Sequence, residues 1–435
     1  MDSPDEDESS EAYMTWYNGI RIPAILAALL VFAACHKNDT TPPELQRVEP
    51  VKTAMSEAVT VGPPWRPGYV RPPVIDIHTH LSPAALERIR TIVTDNGLDI
   101  VVNLSGGSLR RGAKQAVALQ HEEPRVVHFM NPDWGLRDHP EFGQILAKSL
   151  EYAVQELGFK GLKISKALGL YLSDKAGQRL PVDTPVLDPM WAMAGRLGVP
   201  VAIHTGDPKA FWEPVTHANE RYDELIIHPR WSFAGPEHPS RETLLAERDR
   251  LLERHRGTTF ICVHFGNNPE DIDYVEGLLS RHPNVVLDTS ARLGEIGRHS
   301  PERVRRLFIT YADRILFGTD FGLGTSSIML GSTGNVEPTM ADVKPFFDAH
   351  WRFFEGSERQ IDHPTPIQGN WKIDAINLPD EVLYKLYRGN AERLLKLGPH
   401  ANHRPDASVG EQLKEEAVSD RPVRDGDSVD PALKR

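Results

Sequence analysis

Cysteine is nearly missing from this chain of 435 residues, which carries only Cys35 and Cys262. Two cysteines build no disulfide framework, and they exclude a zinc site made of cysteine clusters. A surplus of positive charge is missing too. Lys and Arg number 49 against 61 Asp and Glu, a formal net charge of -12. No basic stripe with interleaved aromatics occurs, so a nucleic-acid partner has no electrostatic footprint. Apolar runs are also short: the run from Ile22 to Ala34 does not reach the length that spans a bilayer. What is present is ordinary for a globular chain, with 40% hydrophobic and 25% charged residues, enough to bury a large core. A length of roughly 150 residues per domain would give about three domains, but α/β barrels run longer as single units.

The most informative stretch is Val74-Ile75-Asp76-Ile77-His78-Thr79-His80, an apolar strand with an Asp-x-His-x-His motif. Side chains alternate along a strand, so Asp76, His78 and His80 are expected on one face and Ile75 and Ile77 on the other. Neutral imidazole is the commonest metal ligand, and two on one rigid strand need little ordering to converge. The alternative for an isolated His-x-His is a pair of histidines hydrogen-bonded in a polar pocket.

The ends read differently. An acidic stretch precedes Met14, which is a candidate true start, and residues 1–34 read as a leader. Arg21 gives it a sparse positive region, Ile22 to Ala34 an apolar core, and Phe32-Ala33-Ala34-Cys35 small residues before the cut. This resembles a bacterial lipoprotein signal, although Phe32 departs from the leucine usual there; a plain signal anchor or an unprocessed N-terminus is the alternative. The resemblance implies acylation of Cys35, hence a membrane anchor and a place in the bacterial cell envelope, facing the periplasm or exterior. Residues 35–73, rich in Pro, Thr and Glu, read as a tether, and 399–435 as a disordered tail.

Between these ends, eight apolar runs qualify as strands: Val74 to His80, Asp99 to Leu104, Val126 to Met130, Phe159 to Ser165, Val199 to Thr205, Thr259 to Phe265, Asn284 to Thr289 and Arg314 to Asp320. Amphipathic segments alternate with them, among them Ala84 to Asp95, Phe142 to Leu157, Arg241 to His255, Pro269 to Arg281 and Pro301 to Tyr311. Ser240 and Ser300-Pro301 are helix-start signals. The expectation is one (β/α)8 barrel over 74–398, with a doubly wound open sheet as the alternative.

Catalytic groups of such a barrel sit at the C-terminal ends of its strands. Alternation places Ala202 and His204 inward on the fifth strand, Cys262 and His264 on the sixth, and Gly318 and Asp320 on the eighth. On the fourth strand it turns Lys163 and Ser165 toward the lumen. A lysine there needs a partner: a ligand carboxylate, a substrate carboxylate, or carboxylation to bridge two metals. Snorkelling to solvent is the other option, and it suits Lys166 better. Asp288, Ser290 and Arg292 share a parity on the seventh strand, and Arg292 reaches either a substrate anion or Glu295.

Together these residues resemble the amidohydrolase superfamily. Val201-Ala202-Ile203-His204-Thr205-Gly206-Asp207, Arg314-Ile315-Leu316-Phe317-Gly318-Thr319-Asp320 and Gly389-Asn390-Ala391-Glu392-Arg393-Leu394-Leu395 resemble its aminocarboxymuconate-semialdehyde decarboxylase branch. The resemblance implies one divalent metal, zinc or else manganese, held by His78, His80, His204 and Asp320, with His264 and Asp320 catalytic. It departs through the long segment 322–378, expected as a cap over the mouth. Nitrogen and oxygen ligands suit a Lewis acid that activates water. Asp320 would shuttle the proton, and His264 would donate to a substrate oxygen. Lys163 and Arg292 would bind substrate. The reading is a metal-dependent hydrolase of a small molecule, with a decarboxylase at the same site or a non-catalytic surface binding protein as alternatives. A homo-oligomer is left open.

Overall fold

The computed structural model describes residues 62–397. The leader, Cys35, the tether up to residue 61 and the tail 399–435 lie outside the described residues. Met1–Val70 and Arg71–Arg435 are two separate units. In the first, Arg66 N donates to Pro63 O at 2.9 Å, and the Arg66 guanidinium lies 4.8 Å from the Tyr69 ring centre. Among the described residues no helix is long and apolar enough to cross a membrane.

The second unit alternates strands β1 (Val74–Leu81), β2 (Leu98–Asn103), β3 (Val126–Met130), β4 (Gly161–Ile164), β5 (Val201–Ile203), β6 (Phe260–Cys262), β7 (Val285–Asp288) and β8 (Ile315–Leu316) with eight helices. These are α1 (Leu86–Asp95), α2 (Ala113–Glu122), α3 (Phe142–Gln155), α4 (Asp188–Leu197), α5 (Arg241–Arg254), α6 (Ile272–Arg281), α7 (Pro301–Thr310) and α8 (Met340–Glu355). Successive strands pair in parallel from β1 to β8. The sheet closes on itself: Ile77 N donates to Phe317 O at 3.0 Å and Asp320 N to His78 O at 2.9 Å. Past that point β9 (Phe321–Leu323) continues beside β1 in parallel and turns back as β10 (Ile328–Leu330). This is a closed (β/α)8 barrel, not an open sheet.

Local chemistry explains the helix starts. Ser240 accepts from Thr243 N at the head of α5, Ser300 from Arg303 N ahead of Pro301 in α7, and Thr339 with Asp342 forms a capping box on α8. The segment expected as a helix from Pro269 begins at Ile272 because Asp271 caps it, accepting from Tyr274 N.

Register decides which residues line the lumen. Lys163, Ala202, Ile261 and Val286 are neighbours in one row across β4 to β7, and neighbours in register point the same way. Ile261 and Val263 therefore face inward with Ala202, in one cluster with Ile75, Ile77, Ile100, Val102, Val127, Phe129 and Leu316. This corrects the sequence reading of the sixth strand, since Cys262 pairs with Ile203 and Leu287 on the outer face. The first strand needs the same correction, because Ile75 and Ile77 also belong to the lumenal cluster. Ala391 and Leu395, from α9, and Leu397 just past its end join that cluster; α9 runs Asp380–Tyr384, a π-helical turn Lys385–Gly389 and Asn390–Leu395.

The segment 322–378 does not act as one cap. Its helix α8 is the eighth helix of the outer layer: Phe317, on the outer face of the wall, stacks on Trp351 at 4.8 Å and meets Tyr387 edge-on at 5.5 Å. The remainder lies beside the rim loops. Trp371 donates to Gly294 O at 2.8 Å, and Thr333 O lies 3.0 Å from His228 Nε2.

Candidate metal centre and active site

Strict alternation would place His78 opposite Ile77. A bulge prevents this: Asp76 pairs with Val101 but Thr79 with Asn103, so β1 carries one residue more than β2 between them. A Cβ on Gly318 would lie 3.1 Å from His78 Cβ and 3.2 Å from Ile77 Cγ2, which puts both side chains on the lumenal side. Asp76 is left on the other face. Its carboxylate accepts from Thr319 Oγ1 at 2.5 Å, Thr319 N at 3.2 Å and His78 N at 3.0 Å. Burial pushes its pKa up to about 7, against these bonds. Asp76 therefore braces the rim and does not join the histidines, contrary to the sequence reading, which placed all three on one face.

His264 enters the lumen by a second irregularity. The strand stops at Cys262, and His264 and Phe265 adopt left-handed backbone with φ 54° and 55°, a conformation that costs free energy in non-glycine residues and gathers at functional sites. Asp320, with φ 60°, is turned in the same way.

The side chains then converge. Asp320 Oδ1 lies 3.4 Å from His78 Nε2 and 3.3 Å from His80 Nε2. Donors bound at roughly 2.0–2.2 Å to one tetrahedral ion are separated by roughly 3.3–3.6 Å, so this trio fits a divalent metal. The far sides of the rings are tied. His80 Nδ1 is 2.7 Å from Ser105 Oγ, and His78 Nδ1 is 2.8 Å from Asp288 Oδ2; partners of this kind fix ring orientation and tautomer in metal sites. Burial would raise the Asp320 pKa, but His78, His80 and Lys163 outweigh it and hold the carboxyl ionised. His78, His264 and Asp288 form a second, fully buried group.

His204 stands apart from the ligand trio. Its Nε2 is 3.3 Å from Asp207 Oδ1 but not aligned for a hydrogen bond, and its ring lies 4.4 Å from that of His264. Burial lowers its pKa to about 4, against Asp207. His264 Nδ1 is 3.0 Å from the Ser290 carbonyl oxygen, which can only accept. The proton therefore sits on Nδ1 and Nε2 presents a lone pair to the lumen. Burial, then His204 and Arg292, hold its pKa well below the ordinary value. A neutral His264 of this tautomer accepts a hydrogen bond at Nε2, where the sequence reading made it a donor.

Lys163 does face the lumen, with Nζ 3.3 Å from His78 Nε2. Burial lowers its pKa to about 8, opposed by Asp320 and Asp288. Lys166 does not snorkel: it is buried, donates to Asp207 Oδ2 at 2.6 Å and lies 5.3 Å from the Trp231 ring centre. Arg292 is also buried. It donates to Ala291 O at 2.7 Å and stands 3.9 Å from Asp207, while Glu295, its alternative partner, pairs with Arg221. Ser105, Thr319 and Asp207 escaped the sequence reading. For Asp207 a signal existed, three residues after His204 in a strand-end loop.

The sequence model of the amidohydrolase family matches residues 75–397. The chain belongs to that family. No curated protein matches it. Among solved structures, this amidohydrolase is similar to a 2,6-dihydroxybenzoate decarboxylase from Rhizobium, with 18% identity, TM-score 0.44, and 75% of this chain and 99% of the other covered. A dihydroxybenzoic acid decarboxylase from Polaromonas with bound manganese and 2-nitroresorcinol gives 16% identity, TM-score 0.47, and coverage of 76% and 99%. A 5-carboxyvanillate decarboxylase from Novosphingobium aromaticivorans with manganese gives 12% identity, TM-score 0.42, and coverage of 79% and 100%. At such levels the family assignment rests on the sequence match and not on these likenesses.

Proposed function

We propose that this amidohydrolase is a metal-dependent hydrolase acting on a small molecule at the C-terminal mouth of its barrel. The observation that carries the reading is the approach of His78 Nε2 and His80 Nε2 to Asp320 Oδ1, at 3.4 and 3.3 Å, with both Nδ1 atoms engaged behind them. These three residues would hold the ion, with His204 as the fourth ligand implied by the family resemblance. Bound there, zinc or manganese supplies Lewis acidity toward a carbonyl oxygen or water.

The protein's own groups do the rest. Asp320 is 15% exposed at the side chain and held ionised. Asp320 would help hold the ion, and its carboxylate can take a proton from water and pass it to the leaving group. His264 Nε2, neutral and lumenal, accepts a hydrogen bond and orients a water or substrate hydroxyl. Lys163 and Arg292 orient an anionic substrate group. Those two buried cations favour a second reading, loss of carbon dioxide from a small carboxylic acid in the same site. For location, we propose a lipid anchor at Cys35; Cys35→Ser should release the protein to the aqueous phase or leave its precursor uncleaved, and soluble behaviour of both forms would refute it.

The test of function starts from elemental analysis of protein purified without chelator, expected to give close to one divalent ion per chain. Small amides, lactones and aromatic carboxylates are then screened with product analysis. Absence of divalent metal would overturn the proposal, and metal without turnover would favour a binding protein. Release of carbon dioxide would move the assignment to the second reading.

A further inference from the structure

Asp288 divides its two oxygens between unlike tasks. Oδ1 accepts from His264 N at 2.8 Å, Ser290 N at 3.2 Å and Ser290 Oγ at 2.6 Å. Oδ2 faces His78 Nδ1 at 2.8 Å. A carboxylate only accepts, so His78 carries its proton on Nδ1. The opposite end of the ring agrees independently: the Lys163 ammonium, which only donates, stands 3.3 Å from Nε2. The Ser290 hydroxyl, 2.8 Å from His78 Nδ1, has its own hydrogen committed to Asp288 and so accepts there too. Asp288, Ser290 and Lys163 therefore all favour the Nδ1–H tautomer, the one whose Nε2 lone pair can reach an ion, and Asp320 Oδ1, 3.4 Å from Nε2, faces that lone pair as the neighbouring ligand.

We propose that Asp288 is the positioning residue that sets the His78 tautomer required for metal binding, and that an amide in its place reverses that tautomer. This rests on the metal-centre reading. The two backbone N–H groups that hold Oδ1 do not change on substitution. In Asp288→Asn they keep the amide oxygen in the Oδ1 place and turn the NH2 group toward His78 Nδ1. Two donors cannot face each other at that distance with both protons kept, so the ring moves its proton to Nε2 and the metal lone pair is lost. Asp288→Ala removes the partner without imposing the reverse, since Ser290 Oγ can still accept from Nδ1. The order of metal affinity is therefore wild type, then Asp288→Ala, then Asp288→Asn. A merely structural role predicts the opposite order for the variants, because Asn keeps the shape and the Oδ1 bonds that Ala deletes.

The experiment uses metal-free protein with 15N-labelled histidine, in which two-bond 1H–15N correlations report the tautomer of His78, identified by comparison with His78→Gln. Zn(II) affinity is then measured by competition with a chelator. We expect Nδ1–H in the wild type and Nε2–H in Asp288→Asn, whose affinity falls by at least about 10- to 100-fold, with Asp288→Ala between. Nδ1–H in Asp288→Asn, or tighter Zn(II) binding by Asp288→Asn than by Asp288→Ala, overturns the proposal. Should Asp288→Asn not fold, an Nε2–H His78 in the wild type overturns it alone, and Nδ1–H there with weakened binding in Asp288→Ala supports it. A wild type that binds no Zn(II) overturns the metal-centre reading instead, while the tautomers of the metal-free proteins still decide the role of Asp288.

Discussion

His78 and His204 are both strand-end histidines, yet their surroundings separate them. His80 and His78 have Nδ1 partners and Nε2 atoms aimed at Asp320, whereas His204 faces Asp207. His80→Ala should therefore empty the metal centre. His204→Ala leaves His78, His80 and Asp320 in place and should lower affinity by about 10- to 100-fold without emptying the centre; elemental analysis across a zinc titration checks this. Equal and complete loss in both would show that His204 is as necessary to the ion as His80. His264→Ala should keep the ion and lose about 10²- to 10³-fold in turnover, the usual contribution of one positioned hydrogen-bonding group. Steady-state rates on a substrate found by the screen, beside metal content, decide it.

At the level of elements, α8 is a wall helix. Its aromatic face covers Phe317 of the barrel wall, so Phe317→Ala or Trp351→Ala should cost about 3–5 kcal/mol, measured as a shift in the urea midpoint. Val336, in the same long segment but 83% exposed, should tolerate Ala within about 0.5 kcal/mol. A Trp351→Ala protein with unchanged stability would contradict this placement. The sequence shows a long connection after the eighth strand, but periodicity within it does not say whether a helix lies on the wall or over the mouth. That depends on whether Phe317 needs cover, and the phase of Phe317 follows from register.

For the molecule as a whole, buried neutral histidines set the acid limit. His128, on β3 with Asn103 Nδ2 3.3 Å from its Nδ1, has its pKa pushed by burial from 6.5 down to about 3, and burial takes that of His350 to about 4. The unfolded chain takes up these protons first. Their contribution to stability is therefore full above about pH 6.5 and falls as the pH drops toward the folded values, by about 1.4 kcal/mol per pH unit for each proton, while Asp76, raised to about 7, offsets about one proton of that slope below pH 7. Urea midpoints between pH 7.5 and 5 should show this slope, and His128→Asn should reduce it by about one proton. An unchanged slope in that variant would exclude His128 as a contributor.

The eight apolar runs, the helix caps at Ser240 and Ser300 and the cluster of histidine and aspartate at strand ends were legible in the sequence alone, because hydrophobic periodicity and side-chain capping are local properties. The faces were not. Alternation counted along β1 turned Ile75 and Ile77 outward and Asp76 inward, and the reverse is true because a bulge inserts one residue before His78. Counting along the sixth strand failed similarly, because His264 leaves extended backbone altogether. Bulges and left-handed residues are fixed by the pairing of neighbouring strands and by closure of the barrel. Tertiary structure also decided which ring nitrogen carries each proton, since Asp288, the Ser290 carbonyl and Lys163 reach His78 and His264 from strands distant in sequence.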